Sequence, residues 1–185
     1  MGQKISIDSA TLANKVLEYF EALIIFNLKP EDVVIRIEPS SRIHAALLLK
    51  TGFYYFVAHN NSMKIPISNA LNILETKNIN KKILLDNATF QFHKPNYKKF
   101  KLLKIAKKIA KLGHAAMIFF SIINERLVYK FLKKEITFDK ITLILEHLFM
   151  NKKFISLCKT YIRSKKDILK AVETAKNYNL SIKNE

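Results

Sequence analysis

From Lys101 onward the apolar residues return every three to four positions, and this spacing limits the fold more tightly than any other feature of the chain. Leu102, Leu103, Ala106, Ile109 and Ala110 fall on one side of a 3.6-residue spiral, and Lys101, Lys104, Lys107, Lys108 and Lys111 fall on the other. A strand alternates with a period of two and cannot gather these residues on one face. The spacing predicts a helix that ends near Gly113, a residue suited to the backbone of a helix end. A second helix is expected from about His114 to Lys133. Thr137 is placed to cap a third, with Phe138, Ile141, Leu145 and Leu148 on its buried face. Ser164 and Asp167 form a Ser-x-x-Asp cap for a fourth, with Ile168, Val172 and Ala175 inward. Successive amphipathic helices with short connections predict a C-terminal helical bundle over residues 101–185.

Upstream the signals are mixed. Asp8 and Ser9 are good N-cap residues, and helix formers follow to about Asn27, where Lys29-Pro30-Glu31 closes the helix. Val33 to Ile37 is β-branched and reads as a strand. Ile43 to Leu49 and Phe53 to Ala58 read as a hairpin about the turn Lys50-Thr51-Gly52. His59 to Ser62 is polar loop, Pro66 suits the start of a short helix, and Asn87 to Lys99 reads as a polar connector. The expected fold class is therefore α+β, with residues 1–86 as a partial α/β domain, 87–100 as connector and 101–185 as the bundle.

Composition narrows the function classes. The single cysteine, Cys158, excludes an internal disulfide and a cysteine-based zinc site, and fits a reducing cytoplasm. No signal peptide is expected, because Lys4 is followed by Ile-Ser-Ile-Asp-Ser. No membrane span is expected either: the densest apolar run, Ala115 to Ile123, is too short and contains Ser121. The formal charge of +17 raises the question of nucleic acid. The lysines are scattered, however, and the abundant residues (Lys, Asn, Ile, Phe, Tyr) share AT-rich codons. Base composition accounts for the charge without a partner, and no specific nucleic-acid binding is expected. His59, His93, His114 and His147 have no ligand-like spacing.

The chemistry is concentrated near the start, in KISIDSATLANKVLEYFEA, Lys4 to Ala22. A serine at a helix N-terminus, beside unpaired backbone N–H groups, is a ready phosphate site. Asn14 and Lys15 can donate to phosphate or hydroxyl oxygens. Glu18 shares a helix face with both, and a carboxylate among oxygen-rich ligands suits a hard divalent cation such as Mg²⁺ or Mn²⁺. The same residues also read as a capped surface helix with an ordinary Lys15–Glu18 pair.

The stretch MGQKISIDSATLANKVLE, Met1 to Glu18, closely resembles a signature of the 1-deoxy-D-xylulose 5-phosphate reductoisomerase family, Met-Gly-x-Lys-Ile-Ser-x-Asp-Ser-Ala-Thr-x-x-Asn-Lys-Gly-Leu-Glu. By that resemblance Ser9, Asn14, Lys15 and Glu18 would hold a sugar-phosphate substrate, with Glu18 also one of the carboxylates on the metal. Val16 stands where the family has Gly, and is expected to add bulk where backbone or ligand approaches closely. IEPSSRIHA, Ile37 to Ala45, is similar to the family's Ile-His-Pro-Gln-Ser-x-Ile-His-Ser and keeps Pro39, Ser41 and His44. NNSMKIPI resembles x-Pro-Asp-Met-Arg-x-Pro-Ile, a loop near the nicotinamide, which makes Met63 a cofactor-binding candidate. ATFQFHKPNYKKFKLLKIA resembles the lead into the C-terminal helices, with Lys101 replacing a Pro. LGHAAMIFFSIINERLVYKFL resembles the helix Gly-x-Ala-x-x-x-x-Asn-Ala-Ala-Asn-Glu, keeping Asn124 and Glu125.

The resemblance implies an NADPH- and Mg²⁺- or Mn²⁺-dependent cytoplasmic enzyme of the non-mevalonate isoprenoid pathway. Such enzymes convert 1-deoxy-D-xylulose 5-phosphate to 2-C-methyl-D-erythritol 4-phosphate as homodimers. In the family a Rossmann domain, an Asp-Ser-Glu motif with the other metal carboxylates and a His-Pro-x-Trp loop precede the signature. None is found in these 185 residues, and no Gly-x-Gly-x-x-Gly occurs. Residues 1–86 are thus expected to be an incomplete catalytic domain with no catalytic residue of its own, and Met1 matches an internal methionine of the pattern, as a restart codon in a broken gene would. Three readings stand: half of a split enzyme completed by a separately encoded N-terminal half, a decayed fragment without activity, or a basic interaction module.

Overall fold

The computed structural model describes residues 2–73 and 89–180. Met1 and the expected boundary between residues 86 and 87 lie outside the described residues. Those described are mostly helical, with one two-stranded antiparallel sheet. In chain order they form α1 (Gln3–Thr11), α2 (Ala13–Ile25), β1 (Ile43–Leu48), β2 (Tyr54–Ala58), α3 (Lys64–Ala70), α4 (Lys101–Leu112), α5 (His114–Leu132), α6 (Phe138–Leu148), α7 (Lys152–Cys158) and α8 (Lys165–Asn177).

Two compact units divide the chain, one of Met1–Ile35 with Pro95–Glu185 and one of Arg36–Lys94. The division at 1–86, 87–100 and 101–185 read along the sequence follows local pattern, whereas these units follow tertiary packing. Helices α1 and α2 carry an apolar stripe (Ile7, Ala13, Val16, Tyr19, Phe20, Leu23) that is buried with the later helices in one core.

In the larger unit α5 is the central helix. It is apolar on most sides and packs against α1, α2, α4, α6, α7 and α8. Phe20 of α2 meets Phe120 of α5 edge-on, at 5.6 Å and 87°. Phe120 continues to Phe149, Phe149 to Phe154, and Phe154 to Tyr178, so a chain of aromatic contacts crosses the core. Leu102, Leu103, Ala106, Ile109 and Ala110 of α4 are all buried, as the period requires, and so is Ile105. Gly113, at φ 103° and ψ −177°, separates α4 from α5 in a conformation reserved for glycine. Ser164 and Asp167 form the expected capping box of α8. Cys158 is buried, and burial pushes its thiol up to about 12.

Several expectations are corrected here. The opening helix does not start at Asp8 or Ser9. Helix α1 already begins at Gln3, those residues lie inside it, and the helix breaks at Leu12 (φ 57°, ψ 23°). Asp8 is drawn into a buried tertiary contact and is not available as a cap. Val33 to Ile37 forms no strand: Val33 and Ile35 pack on the helical core, and Ile37 makes only an isolated bridge with His93. Phe138 is 42% exposed and meets Phe131 edge-on rather than entering the core. Ile168 is likewise exposed and Val172 is only half-buried, because Ala171 and Ala175 line the face of α8 that packs on α5. Helix α7 went unread; it is short and is capped by Asn151, whose Oδ1 accepts the N–H groups of Lys153 and Phe154.

The smaller unit holds the hairpin. Its register runs from Ala45↔Val57 to Leu48↔Tyr54, with an irregularity between Ile43 and Ala45. Gly52 turns it at φ 89°. Tyr54, Phe56 and Phe92 stack in sequence, and the rings of His44 and His59 stack at 3.7 Å. Glu38 accepts from the Ser40 hydroxyl and from the N–H groups of Ser40 and Arg42, which holds its carboxyl down at about 2. Helix α3 carries Pro66 in its first turn, where no intrahelical N–H is needed.

Candidate functional site at the break between the first two helices

The break at Leu12 is built by local chemistry. The Thr11 hydroxyl is buried; it donates to the Ile7 carbonyl (3.1 Å) and accepts the Ala13 N–H (3.3 Å). It thereby closes α1 and satisfies one of the open donors of α2. The Leu12 N–H donates to the Ser9 carbonyl at 3.3 Å, and the Leu12 carbonyl accepts the N–H groups of Lys15 and Val16. A non-glycine residue at positive φ costs energy, and here hydrogen bonds on both sides hold it.

Ser9 sits half-buried in the last turn of α1, not at a helix N-terminus. Asn14 and Lys15 lie in the first turn of α2, where the Asn14 Oδ1 accepts the Lys15 N–H at 2.9 Å. The structure therefore sets the three residues on either side of one backbone break. Lys15 and Glu18 are brought together: Nζ lies 3.0 and 2.7 Å from the two carboxylate oxygens, and both side chains are about half exposed. A solvent-facing pair of this kind contributes about 0–1 kcal/mol to stability, so both groups remain open to a ligand. Val16 points the other way and is fully buried in the core. Its bulk therefore faces the packed backbone of neighbouring helices and not a ligand. Met63 belongs to the smaller unit, where it precedes α3 and is exposed.

Behind the break lies a polar contact that the sequence did not announce. Asp8 is 3% exposed and Asn124 of α5 is 0% exposed, yet the Asn124 Nδ2 donates to the Asp8 Oδ1 at 2.8 Å. The Lys4 ammonium donates to the other carboxylate oxygen at 2.6 Å. The orientation of the Asn124 amide is fixed, because a carboxylate only accepts and must face the NH₂ group. Its Oδ1 is left without a partner among the described residues. One signal was present: Asn124 interrupts the buried register of α5 between Phe120, Ile123 and Leu127.

These residues do not by themselves fit a divalent metal. Glu18 supplies one carboxylate already held by an ammonium, whereas a hard cation takes about six oxygens. Among the described residues no group of three or more His, Cys, Asp or Glu is close enough to hold one. No helix there is long and apolar enough to cross a membrane. Two shallow surface hollows, around Phe131 to Lys140 and around Arg126 and Tyr178, include none of the candidate residues.

Comparison with known proteins returns two family models. The DXP reductoisomerase C-terminal domain matches residues 59–178, and the 1-deoxy-D-xylulose 5-phosphate reductoisomerase C-terminal domain matches residues 1–26. Among curated relatives, the 1-deoxy-D-xylulose 5-phosphate reductoisomerase of Wolbachia sp. subsp. Brugia malayi (strain TRS) is 38% identical over 143 residues, covering 76% of this chain and 37% of the relative. That of Clostridium tetani (strain Massachusetts / E88) is 39% identical over 148 residues, covering 79% and 38%. A crystal structure of DOX-P reductoisomerase in complex with NADPH, fosmidomycin and magnesium superposes with a TM-score of 0.80 at 30% identity, over 95% of this chain and 45% of that one. The chain thus spans less than half the length of these relatives.

Proposed function

The chain belongs to the 1-deoxy-D-xylulose 5-phosphate reductoisomerase family by its C-terminal portion, and from that premise we propose that it supplies the substrate-holding wall of such an enzyme. Ser9, Asn14 and Lys15 take the phosphate and hydroxyl groups of a sugar phosphate, and Glu18 offers one carboxylate toward a divalent metal. The observation that carries this reading is the pairing of Lys15 with Glu18 on an exposed surface directly after the Leu12 break. A phosphate would exchange with Glu18 for the ammonium, forming charge-assisted hydrogen bonds with Lys15 while Glu18 is released for other oxygen-rich ligands. The buried stripe of Val16, Phe20 and Leu23 fixes the opposite side of α2 in the core, so the binding face is presented on a rigid element.

The nicotinamide site and the other metal carboxylates of the family reaction are assigned to residues beyond these 185, whether on a separately encoded N-terminal half or on a longer chain. No step of hydride transfer or rearrangement is derived from the residues present. On the same reading α4, α5, α6 and α8 correspond to the family's C-terminal four-helix bundle, the protein acts in the cytoplasm, and the complete enzyme pairs as a homodimer. Titrating the chain with inorganic phosphate by NMR tests the proposal. Saturable shifts at Ser9, Asn14 and Lys15, with a dissociation constant on the order of millimolar and lost in Lys15→Ala, support it. No shift at these residues, or shifts confined to the Lys101–Lys111 face, would exclude it.

A further inference from the structure

The contact between Asp8 and Asn124 spans 116 positions and joins the first helix of the chain to the central one. It leaves the Asn124 Oδ1 buried without a partner among the described residues. A leucine at this position would pack among Phe120, Ile123 and Leu127 without that loss. The residue that is present has one property leucine lacks: an NH₂ group that faces the Asp8 carboxylate. Asp8 directly precedes Ser9, and Thr11 directly precedes Leu12. The Asn124 tether fixes the end of α1, and the Thr11 hydroxyl fixes the start of α2. Between them they determine how the last turn of α1, with Ser9, is set against the first turn of α2, with Asn14 and Lys15. None of the three projects into solvent, so none is placed to touch a ligand: all are buried.

We propose that Asp8, Thr11 and Asn124 are positioning residues, which lock the Leu12 break and so hold Ser9, Asn14 and Lys15 in the arrangement that accepts a phosphate. The second half of this statement rests on the proposed substrate site; the first half does not. The lock requires hydrogen bonds and not merely volume. Removing the Thr11 hydroxyl leaves the Ala13 N–H without its acceptor. Removing the Asn124 amide leaves a buried carboxylate oxygen without its donor. In each case the turn around Leu12 keeps its own backbone hydrogen bonds but loses a side-chain support beside them, and α1 and α2 are free to re-set their angle.

The test uses the full chain, labelled for NMR, with inorganic phosphate as probe. The variants are Thr11→Val, which keeps the shape and removes the hydroxyl, Thr11→Ser, which restores it, and Asn124→Leu. A fourth carries Asp8→Asn with Asn124→Asp, exchanging donor and acceptor. Phe154→Leu, whose ring packs on Phe119, Phe149 and Tyr178 rather than on α1 or α2, serves as a variant weakened elsewhere in the same core. Thr11→Val and Asn124→Leu are expected to move the Leu12 Cα and Cβ resonances out of the left-handed range and to weaken phosphate binding about tenfold, the equivalent of one hydrogen bond. Thr11→Ser and the exchanged pair are expected to recover both properties, and Phe154→Leu to keep both. Unchanged Leu12 resonances in Thr11→Val would overturn the proposal, and so would parent-like phosphate affinity in that variant. Loss of affinity in Phe154→Leu as large as in Thr11→Val would overturn it too, by reducing the effect to stability. If Asn124→Leu does not fold, Thr11→Val with its serine rescue decides. If the parent chain shows no saturable shift, the substrate reading fails, and the Leu12 resonances still decide whether the lock exists.

Discussion

Replacing Phe120 by alanine removes the ring on which the site helix rests. Phe120 is 0% exposed and meets Phe20 of α2 edge-on at 5.6 Å, with Phe149 at 6.2 Å beyond it. Truncating a fully buried phenylalanine costs about 3–5 kcal/mol, from lost transfer energy and the cavity left behind. A domain of ordinary stability has only about 5–15 kcal/mol in total. With a urea slope of about 2 kcal/mol per molar, the midpoint of unfolding falls by about 2 M. Far-UV circular dichroism against urea reads this directly, since the unit is helical. Phe26→Ala is the control: Phe26 is 69% exposed, and the change should stay within about 0.5 kcal/mol. Crossing Phe20→Leu with Phe120→Leu should give a coupling of about 0.5–1.5 kcal/mol, the share owed to ring geometry beyond area. A Phe120→Ala loss below about 1 kcal/mol, or a Phe26→Ala loss of equal size, would refute the claim that α2 is held by this contact.

Two further outcomes follow from backbone and capping. Gly113→Ala should destabilise by about 1–3 kcal/mol, because φ is 103° and the added methyl would meet nothing within 4 Å, so the cost is conformational alone; an unchanged melting temperature would contradict it. Ser164→Ala should cost about 1 kcal/mol by opening the α8 capping box. The Arg163 N–H and the Ser164 side chain hold the Asp167 carboxyl below its usual value of 3.8. A depressed folded value means this contribution is complete above the unfolded value and is lost as pH falls through the folded one. Asp167→Asn should therefore flatten the acid limb of stability below about pH 4 while leaving its shape near neutrality unchanged. Urea midpoints across that range check the sign, and a parent-like acid limb in Asp167→Asn would refute it.

Much of the fold is legible locally. The register of α4 needs nothing beyond its own spacing, because five lysines and five apolar residues divide cleanly between two faces. The α8 capping box and the hairpin turn at Gly52 are likewise short-range, so both are read at once. The faces of α6 and α8 are read less well: Phe138 and Ile168 are hydrophobic but lie where the helix turns to solvent. Periodicity gives a stripe, and the neighbouring helix decides which edge of it is covered. Val33 to Ile37 fails for a related reason. Strand propensity is a preference for a pleated surface, and here Val33 and Ile35 are taken up against the helical core.

The candidate residues divide in the same way. The sequence by itself placed Lys15 and Glu18 on one face, since a separation of three residues on a helix leaves no other arrangement. It also marked Ser9, Asn14 and Lys15 as one group by their proximity along the chain. The sequence did not reveal that a break at Leu12 divides the group, or that Val16 is directed into the core. It did not reveal that Asp8 is held by an asparagine 116 residues away. Those facts belong to tertiary structure. A capping serine and a buried aspartate both read as polar residues near a helix end, and only packing against α5 determines which role each takes. A local pattern encodes what a segment prefers, and the burial of a single carboxylate is settled by whichever distant donor the fold brings within 2.8 Å.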